Sequence, residues 1–368
     1  MFTSAQHLPM TPGSASRPGA LAATPRVTSP APRDVWEREL ASDPTALASQ
    51  TPEWLDCVCA SGHYRDASRL YELSSGRRLV LPMVRLGRPT GVLAIEASFP
   101  PSWGRGGLVA VGGAGPDDLA AVFADLVERR AMRISLRPNP LTNPAWAKAR
   151  PRRAITVPRL AHVLDLAGGF ARVWDQRFTG SARTAVRKAE RAGLTVECDT
   201  SGRRTGVFYE LFERSLERWA RQQHEPRALA RWRGHRRDPL RKLRLIVEHL
   251  AGRCRLWIAW RGGEPAAAIL VLQGANASYI RGAMDKEIAG PTRANYLLHQ
   301  LAIEQACEAG CRHYHMGESG TSASLAQFKT RFGALPYSYA DYHLERLPLT
   351  TADRLVRTAV KRVLRFRD

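Results

Sequence analysis

The chain is short of acid, short of lysine and short of cysteine. Only 34 of its 368 residues are acidic against 55 basic ones, a formal charge of +21. That excess points to an acidic counterpart such as RNA, anionic lipid, or a phosphorylated cofactor or substrate. Arginine greatly outnumbers lysine, so the positive surface is mostly guanidinium. The six cysteines, Cys57, Cys59, Cys198, Cys254, Cys307 and Cys311, are scattered. Their spacing excludes a zinc ribbon and gives no disulfide framework, so we expect reduced core thiols and no metal. No apolar run approaches the ~18 residues that cross a bilayer, and the N-terminus lacks the apolar core of a signal peptide, so the chain reads as cytoplasmic. Residues 1–33 contain no acidic residue and carry Pro9, Pro12, Pro18, Pro25, Pro30 and Pro32, which predicts a disordered leader.

What is present suffices for packed cores: 44% of the residues are hydrophobic, and the length suits two domains. Residues 34–155 read as mixed α and β. A helix starts at Thr51-Pro52-Glu53-Trp54, strand-like runs cover 78–84, 91–96 and 107–111, and a helix over 117–130 precedes a strand at 132–136. Pro138, Pro140, Pro144 and Pro151 then mark a boundary near residue 155. In residues 156–348, an amphipathic helix over 181–192 stops at Gly193, and Val207, Phe208, Leu211, Phe212, Ser215 and Trp219 recur at helical spacing. Residues 218–244, dense in arginine and cut by Pro226 and Pro239, predict an exposed basic excursion. Three strands over 255–260, 266–273 and 277–283, with turns at Gly262-Gly263 and Gly274-Ala275-Asn276, form an antiparallel meander. A helix over 291–309 with Pro291 at its first position, a strand over 311–316 and a helix over 325–331 complete the order.

That order, carrying Leu256-Trp-Ile-Ala-Trp-Arg-Gly-Gly-Glu-Pro-Ala, Tyr279-Ile-Arg-Gly-Ala-Met-Asp, Asn295-Tyr-Leu-Leu, Ala306-Cys-Glu-Ala-Gly and Phe328-Lys-Thr-Arg-Phe-Gly, resembles the FemAB-like branch of the GNAT acyltransferases. The resemblance implies an α/β fold, mixed α+β, with two GNAT-like halves: a degenerate copy over 34–155 and an acyltransferase domain over 156–348. It also implies transfer of an acyl group to an amine, from acyl-coenzyme A or from aminoacyl-tRNA. In that fold a diphosphate-bearing donor lies at the N-terminus of the helix after the meander, where free N–H groups and the helix dipole favour negative charge. Here that position is Gly290-Pro-Thr-Arg-Ala-Asn, which assigns Gly290, Thr292, Arg293 and Asn295 to the donor. It departs from a glycine-rich loop, since Pro291 removes a donor.

The same resemblance makes Lys329 the cation that stabilises transition-state charge. Glu318, following the last strand through Gly317, is placed to take the proton that an amine loses, and the Tyr296 hydroxyl to protonate a leaving group. Tyr279 and Arg281, two apart on one strand, share a face that lines an acceptor cleft, and His315 contributes to the same cleft. The acceptor is an amine, with an envelope or polysaccharide precursor as the leading class. tRNA is the macromolecular partner if the donor is aminoacyl-tRNA, through residues 218–244. The basic amphipathic helix of 351–367, within the terminal segment 349–368, either docks on the body or lies on anionic lipid at the inner membrane surface. A rival from another class is a non-catalytic RNA- or membrane-binding scaffold, in which the helix N-terminus and Lys329 would not share one cleft.

Overall fold

The computed structural model describes residues 24–364 apart from 88–90 and 321. The first half runs through β1 (Arg26–Thr28), α1 (Arg33–Ala41), α2 (Pro52–Ala60), β2 (Tyr64–Asp66), β3 (Arg69–Glu72), β4 (Arg78–Leu81), β5 (Val84–Leu86), β6 (Ile95–Ala97), α3 (Pro116–Glu128), β7 (Arg133–Leu136) and α4 (Asn143–Ala149). The second begins with β8 (Ile155–Asp165), α5 (Gly169–Arg172), α6 (Gly180–Glu190), β9 (Leu194–Asp199), α7 (Thr205–Gln223), α8 (Arg227–Arg237) and α9 (Leu240–His249). It continues with β10 (Cys254–Arg261), β11 (Glu264–Leu272), β12 (Ala277–Met284), α10 (Lys286–Thr292), α11 (Ala294–Glu308), β13 (His313–Glu318), α12 (Ala323–Arg331), β14 (Leu335–Glu345) and α13 (Leu349–Leu364).

Local chemistry accounts for many of these elements. Thr51 caps α2 by accepting from the Trp54 N–H at 3.2 Å, with Pro52 at the first helical position. The meander forms where the paired glycines and the Gly274–Asn276 turn allow it, Trp257 opposite Ile269 and Leu270 opposite Arg281. Asp285 accepts from the Glu287 N–H at 2.9 Å and so nucleates α10 ahead of the proline. In consequence Pro291 lies inside α10, not at the start of one long helix, and the chain breaks at Arg293, whose φ is +60°. Residues 218–244, expected as an exposed basic excursion cut by its prolines, are helical. They complete α7 and build α8 and α9, with Pro226 and Pro239 as the residues before each helix. Of the runs expected as strands, 107–111 makes only an isolated bridge, Val109 to Val80, and 91–93 is a 3₁₀ turn before β6. The expected leader lies outside the described residues up to 23, and Arg26–Thr28 already pairs with β3.

Among the described residues one sheet of eleven strands spans both halves, in the order β2-β5-β6-β7-β14-β8-β13-β12-β11-β10-β9. Its two wings repeat each other. β2, β5 and β6 are antiparallel and β6 is joined through α3 to the parallel β7; β10, β11 and β12 are antiparallel and β12 is joined through α10 and α11 to the parallel β13. The last strand of each half has changed sides: β8, following β7 in the chain, pairs with β13, while β14, following β13, pairs with β7. β8 and β14 then pair with each other and fuse the halves. One core packs Trp36 and Trp54 of the first half against Phe208, Phe212, Ile258 and Leu270 of the second. A second lies beneath α11, with Phe178, Leu298, Ile303 and Phe332, and a third in the first half also takes Tyr342 of β14.

Candidate active site

The site originates where β12 and β13 part. Their parallel ladder holds at Ala277–Tyr314 and Ser278–His315 only. A bulge at Ile280 turns β12 away, since Val271 opposes Tyr279 while Leu270 opposes Arg281. The wedge opens into a cavity of about 1010 Å³. Ser49, Arg105 and Arg137 of the first half close one side, α7 and α9 another.

Lys329 is delivered to this cavity by its aromatic neighbours. Phe328 of α12 and Phe332, the residue that ends it, pack on Tyr296 at 5.0 and 5.5 Å and on His299 at 5.4 and 5.5 Å between ring centroids. They fix the rotation of the helix and leave Lys329 turned toward the end of β13. There it is 2% exposed, its Nζ donating to the carbonyls of Gly317 at 2.9 Å and Glu318 at 2.7 Å. Gly317 adopts φ +74°, a backbone that other residues resist, and so turns those carbonyls to the ammonium. Burial pushes the Lys329 pKa down to about 8, with Glu318 acting against the fall and Arg105 adding to it.

Glu318 is the last residue of β13. Its Oε1 accepts from Arg105 Nη2 at 3.0 Å and from the Tyr339 hydroxyl at 2.6 Å, and Arg159 stands 3.8 Å from Oε2. Asp341 of β14, 3% exposed, accepts from Arg159 Nε at 3.0 Å, with Arg137 Nη2 at 3.9 Å. Two carboxylates and three guanidinium groups therefore interlock where the exchanged strands meet. On the opposite wall, Asp238 pairs with Lys242 at 2.8 Å, Arg237 at 3.0 Å and Arg281. Burial raises the Asp238 pKa, but Lys242 and Arg281 outweigh it and hold the carboxyl below its ordinary value.

His315, 5% exposed, and His299, 2% exposed, are both pushed by burial to a pKa of about 3 and are neutral imidazoles. Burial also pushes the Tyr279 hydroxyl up to about 12, so it remains a phenol. Its ring packs on His299 at 4.8 Å, on the α11 side, whereas Arg281 reaches Asp238. The expectation that Tyr279 and Arg281 share a face fails because the bulge at Ile280 breaks the alternation.

Of the residues expected from sequence, Lys329, Glu318, Tyr279, Arg281, His315 and Asn295 line the cavity together. Asn295 approaches Met284 Sδ at 2.9 Å from the first turn of α11. Tyr296 does not line it: its hydroxyl accepts from Arg331 Nη1 at 2.8 Å and its ring stacks on Phe332. Gly290, Thr292 and Arg293 also stand outside, with the Thr292 hydroxyl donating to the Ile288 carbonyl at 2.6 Å and Arg293 exposed. Sequence reasoning missed Ser278, Arg105, Arg137, Arg159, Asp341, Asp238, Lys242 and His299. The one sequence signal was the Trp103-Gly104-Arg105-Gly106-Gly107 run, where Gly106 lies so close to Ser98 that a Cβ would stand 2.7 Å from its carbonyl oxygen.

Residues 176–330 match the family model described as an acetyltransferase (GNAT) domain. No curated protein matches the chain in sequence. The fold is similar to the crystal structure of FemX, with a TM-score of 0.64 at 13% identity over 89% of this chain and 99% of that one. It is also similar to a conserved protein of unknown function from Bacteroides thetaiotaomicron, with a TM-score of 0.54 at 10% identity over 85% and 97% of the two chains. Residues 176–330 thus match a GNAT acetyltransferase domain, and the paired wings share the fold of FemX.

Proposed function

We propose that the protein forms an amide by transferring an acyl group from acyl-coenzyme A to an amine acceptor in the cavity between its halves. The observation that carries this reading is the buried ammonium of Lys329 in a cavity of about 1010 Å³, at the upper end of small-molecule sites. In the reaction the amine nitrogen attacks the thioester carbonyl, the C–N bond forms, the C–S bond breaks and coenzyme A departs as its thiolate, to which the proton lost by the nitrogen finally passes. The nitrogen proton passes to Glu318 Oε2, the oxygen not taken by Arg105 and Tyr339. Lys329 faces the negative charge that develops on the carbonyl oxygen. Asn295, at the start of α11, and Lys329 line the same cavity, which supports catalysis over a binding-only scaffold.

Aminoacyl-tRNA is the second reading, and one observation favours it. The Gly290 region is helical, so the N–H of Ala289 is bonded to the Asp285 carbonyl at 2.8 Å and no open loop of N–H groups cradles a diphosphate. Against it, three arginines of the basic segment are paired within the fold: Arg231 with Glu217, Arg233 with Glu225 at 3.0 Å and Arg237 with Asp238. The acceptor is an amine-bearing compound, with an envelope or polysaccharide precursor as the leading class.

The test is mass spectrometry of amide products when acetyl-coenzyme A, longer acyl-coenzyme A esters or charged tRNA are each supplied with a panel of primary amines. Coenzyme A-dependent product supports the proposal, product from charged tRNA alone moves the donor, and product from neither refutes transfer. Lys329→Ala should lower kcat by about 10² to 10³ with little change in KM. Unchanged kcat in a folded variant would make Lys329 structural. tRNA binding that weakens with salt in the wild type, and is lost when Arg231, Arg233, Arg236 and Arg237 become Ser, would support the second reading.

A further inference from the structure

The inner end of the cavity holds polar atoms that nothing in the fold satisfies. His315 Nε2, Ser278 Oγ and Arg137 Nε are all buried and have no hydrogen-bond partner among the described residues. All three residues line the cavity. Two of them face each other by construction, because Ser278 and His315 are register partners in the last pair that β12 and β13 form before they part. Arg137 enters from the first half, beyond the exchanged strand β14. A buried polar group without a partner costs about 1–3 kcal/mol, so three lining one cavity mark it as a place where a ligand supplies the missing bonds.

The charge at this end has a definite sign. Arg105, Arg137, Arg159 and Lys329 stand around Glu318 and Asp341, which leaves the positive charges in excess. Arg105 and Arg159 are engaged at 3.0 Å or less, by Glu318 and Asp341 respectively. Arg137 has its carboxylate no nearer than 3.9 Å, so its guanidinium is the one with donors to spare. The neutral imidazole of His315 can donate from Nε2, and the Ser278 hydroxyl can rotate to donate.

We propose that Ser278, His315 and Arg137 form a subsite for a carboxylate carried by the acceptor, so that the acyl group is placed on an amino-carboxylate. A guanidinium with donors to spare and two neutral donors suit the two oxygens of a carboxylate. The inference rests on the acyl-transfer reading for the identity of the ligand as acceptor, but its test needs no donor.

The test is calorimetric binding of the ω-amino acids from β-alanine to 6-aminohexanoate, their carboxamides and the matching phosphonates, to the whole chain. For at least one chain length the carboxylate should bind about tenfold or more tighter than its carboxamide. Arg137→Gln should erase that preference while leaving the carboxamide affinity within about twofold. Ser278→Ala, a smaller change, should reduce the preference partway, and thermal melts of both variants verify folding. Equal binding of carboxylate and carboxamide, no binding of any amino acid, tighter binding of the phosphonate, or a preference that survives Arg137→Gln each overturns the subsite. Absence of amide product from every amine, with carboxylate binding intact, instead overturns the transfer reading.

Discussion

Asp238 and Lys242 form a buried ion pair at one turn's spacing, with side chains 7% and 4% exposed and charged atoms 2.8 Å apart. At an effective dielectric near 20 that separation is worth about 6 kcal/mol of attraction, set against several kcal/mol of desolvation for each ion. The partners left behind by removing one charge are unequal. Without its carboxylate, Lys242 keeps only the carbonyls of Ser102 at 2.5 Å and Arg237 at 3.4 Å and the Trp103 ring at 4.7 Å, while Arg237 and Arg281 crowd beside it. Without its ammonium, Asp238 still has those two arginines. We therefore expect Asp238→Asn to cost about 3–5 kcal/mol and Lys242→Met about 1–3 kcal/mol, the latter mostly for the stranded Ser102 carbonyl. The double variant should cost clearly less than the sum.

Urea unfolding at neutral pH, followed by tryptophan fluorescence, measures all three. The pH dependence has a fixed sign as well. Because the folded Asp238 pKa lies below 3.8, its stabilisation is complete above that pH and is lost as pH falls through the depressed value, so wild type and Asp238→Asn should converge in acid. A loss in Asp238→Asn equal to or smaller than in Lys242→Met would refute the reasoning, since the asymmetry follows only if the arginines compensate the carboxylate.

The Lys329 ammonium has a pKa of about 8 against an ordinary 10.5, so turnover should fall about tenfold per pH unit above 8 while global stability gains between 8 and 10.5, where the unfolded chain binds the extra proton; a pH–rate profile flat to pH 10 would exclude the cation role. Gly333 has φ +81° and a Cβ there would stand 2.5 Å from the Arg177 carbonyl oxygen. Gly333→Ala should thus lower stability by about 1–3 kcal/mol from backbone strain alone, and a melting temperature equal to wild type would contradict this. On α13, Leu355 and Val356 are 67% and 62% exposed, so docking leaves this part of the helix uncovered. We propose that it rests on anionic lipid, and removal of residues 349–368 should abolish sedimentation with phosphatidylglycerol vesicles; equal sedimentation of both proteins would return α13 to solvent.

Among the described residues no helix is long and apolar enough to cross a membrane, in keeping with the absence of apolar runs in the sequence. The meander, the α2 cap and the aromatic pair around Lys329 were legible because each is decided within a few residues, by alternation, a capping side chain or helical spacing. The exchanged strands β8 and β14 were not. In β14 the buried positions include Asp341 and His343, which a hydrophobic pattern reads as loop. They are tolerated because Arg159, 182 residues away in sequence, and Ser135, 208 away, supply their hydrogen bonds. The same remoteness hid Arg105, Arg137 and Asp238, whose roles exist only once the first half, the α8–α9 turn and the parted strands meet around one cavity. Sequence alone determined the meander and the helix, strand and helix that follow it, and singled out Lys329 and Glu318. Tertiary structure decided which residues face them, because burial and charge pairing depend on partners that local pattern does not contain.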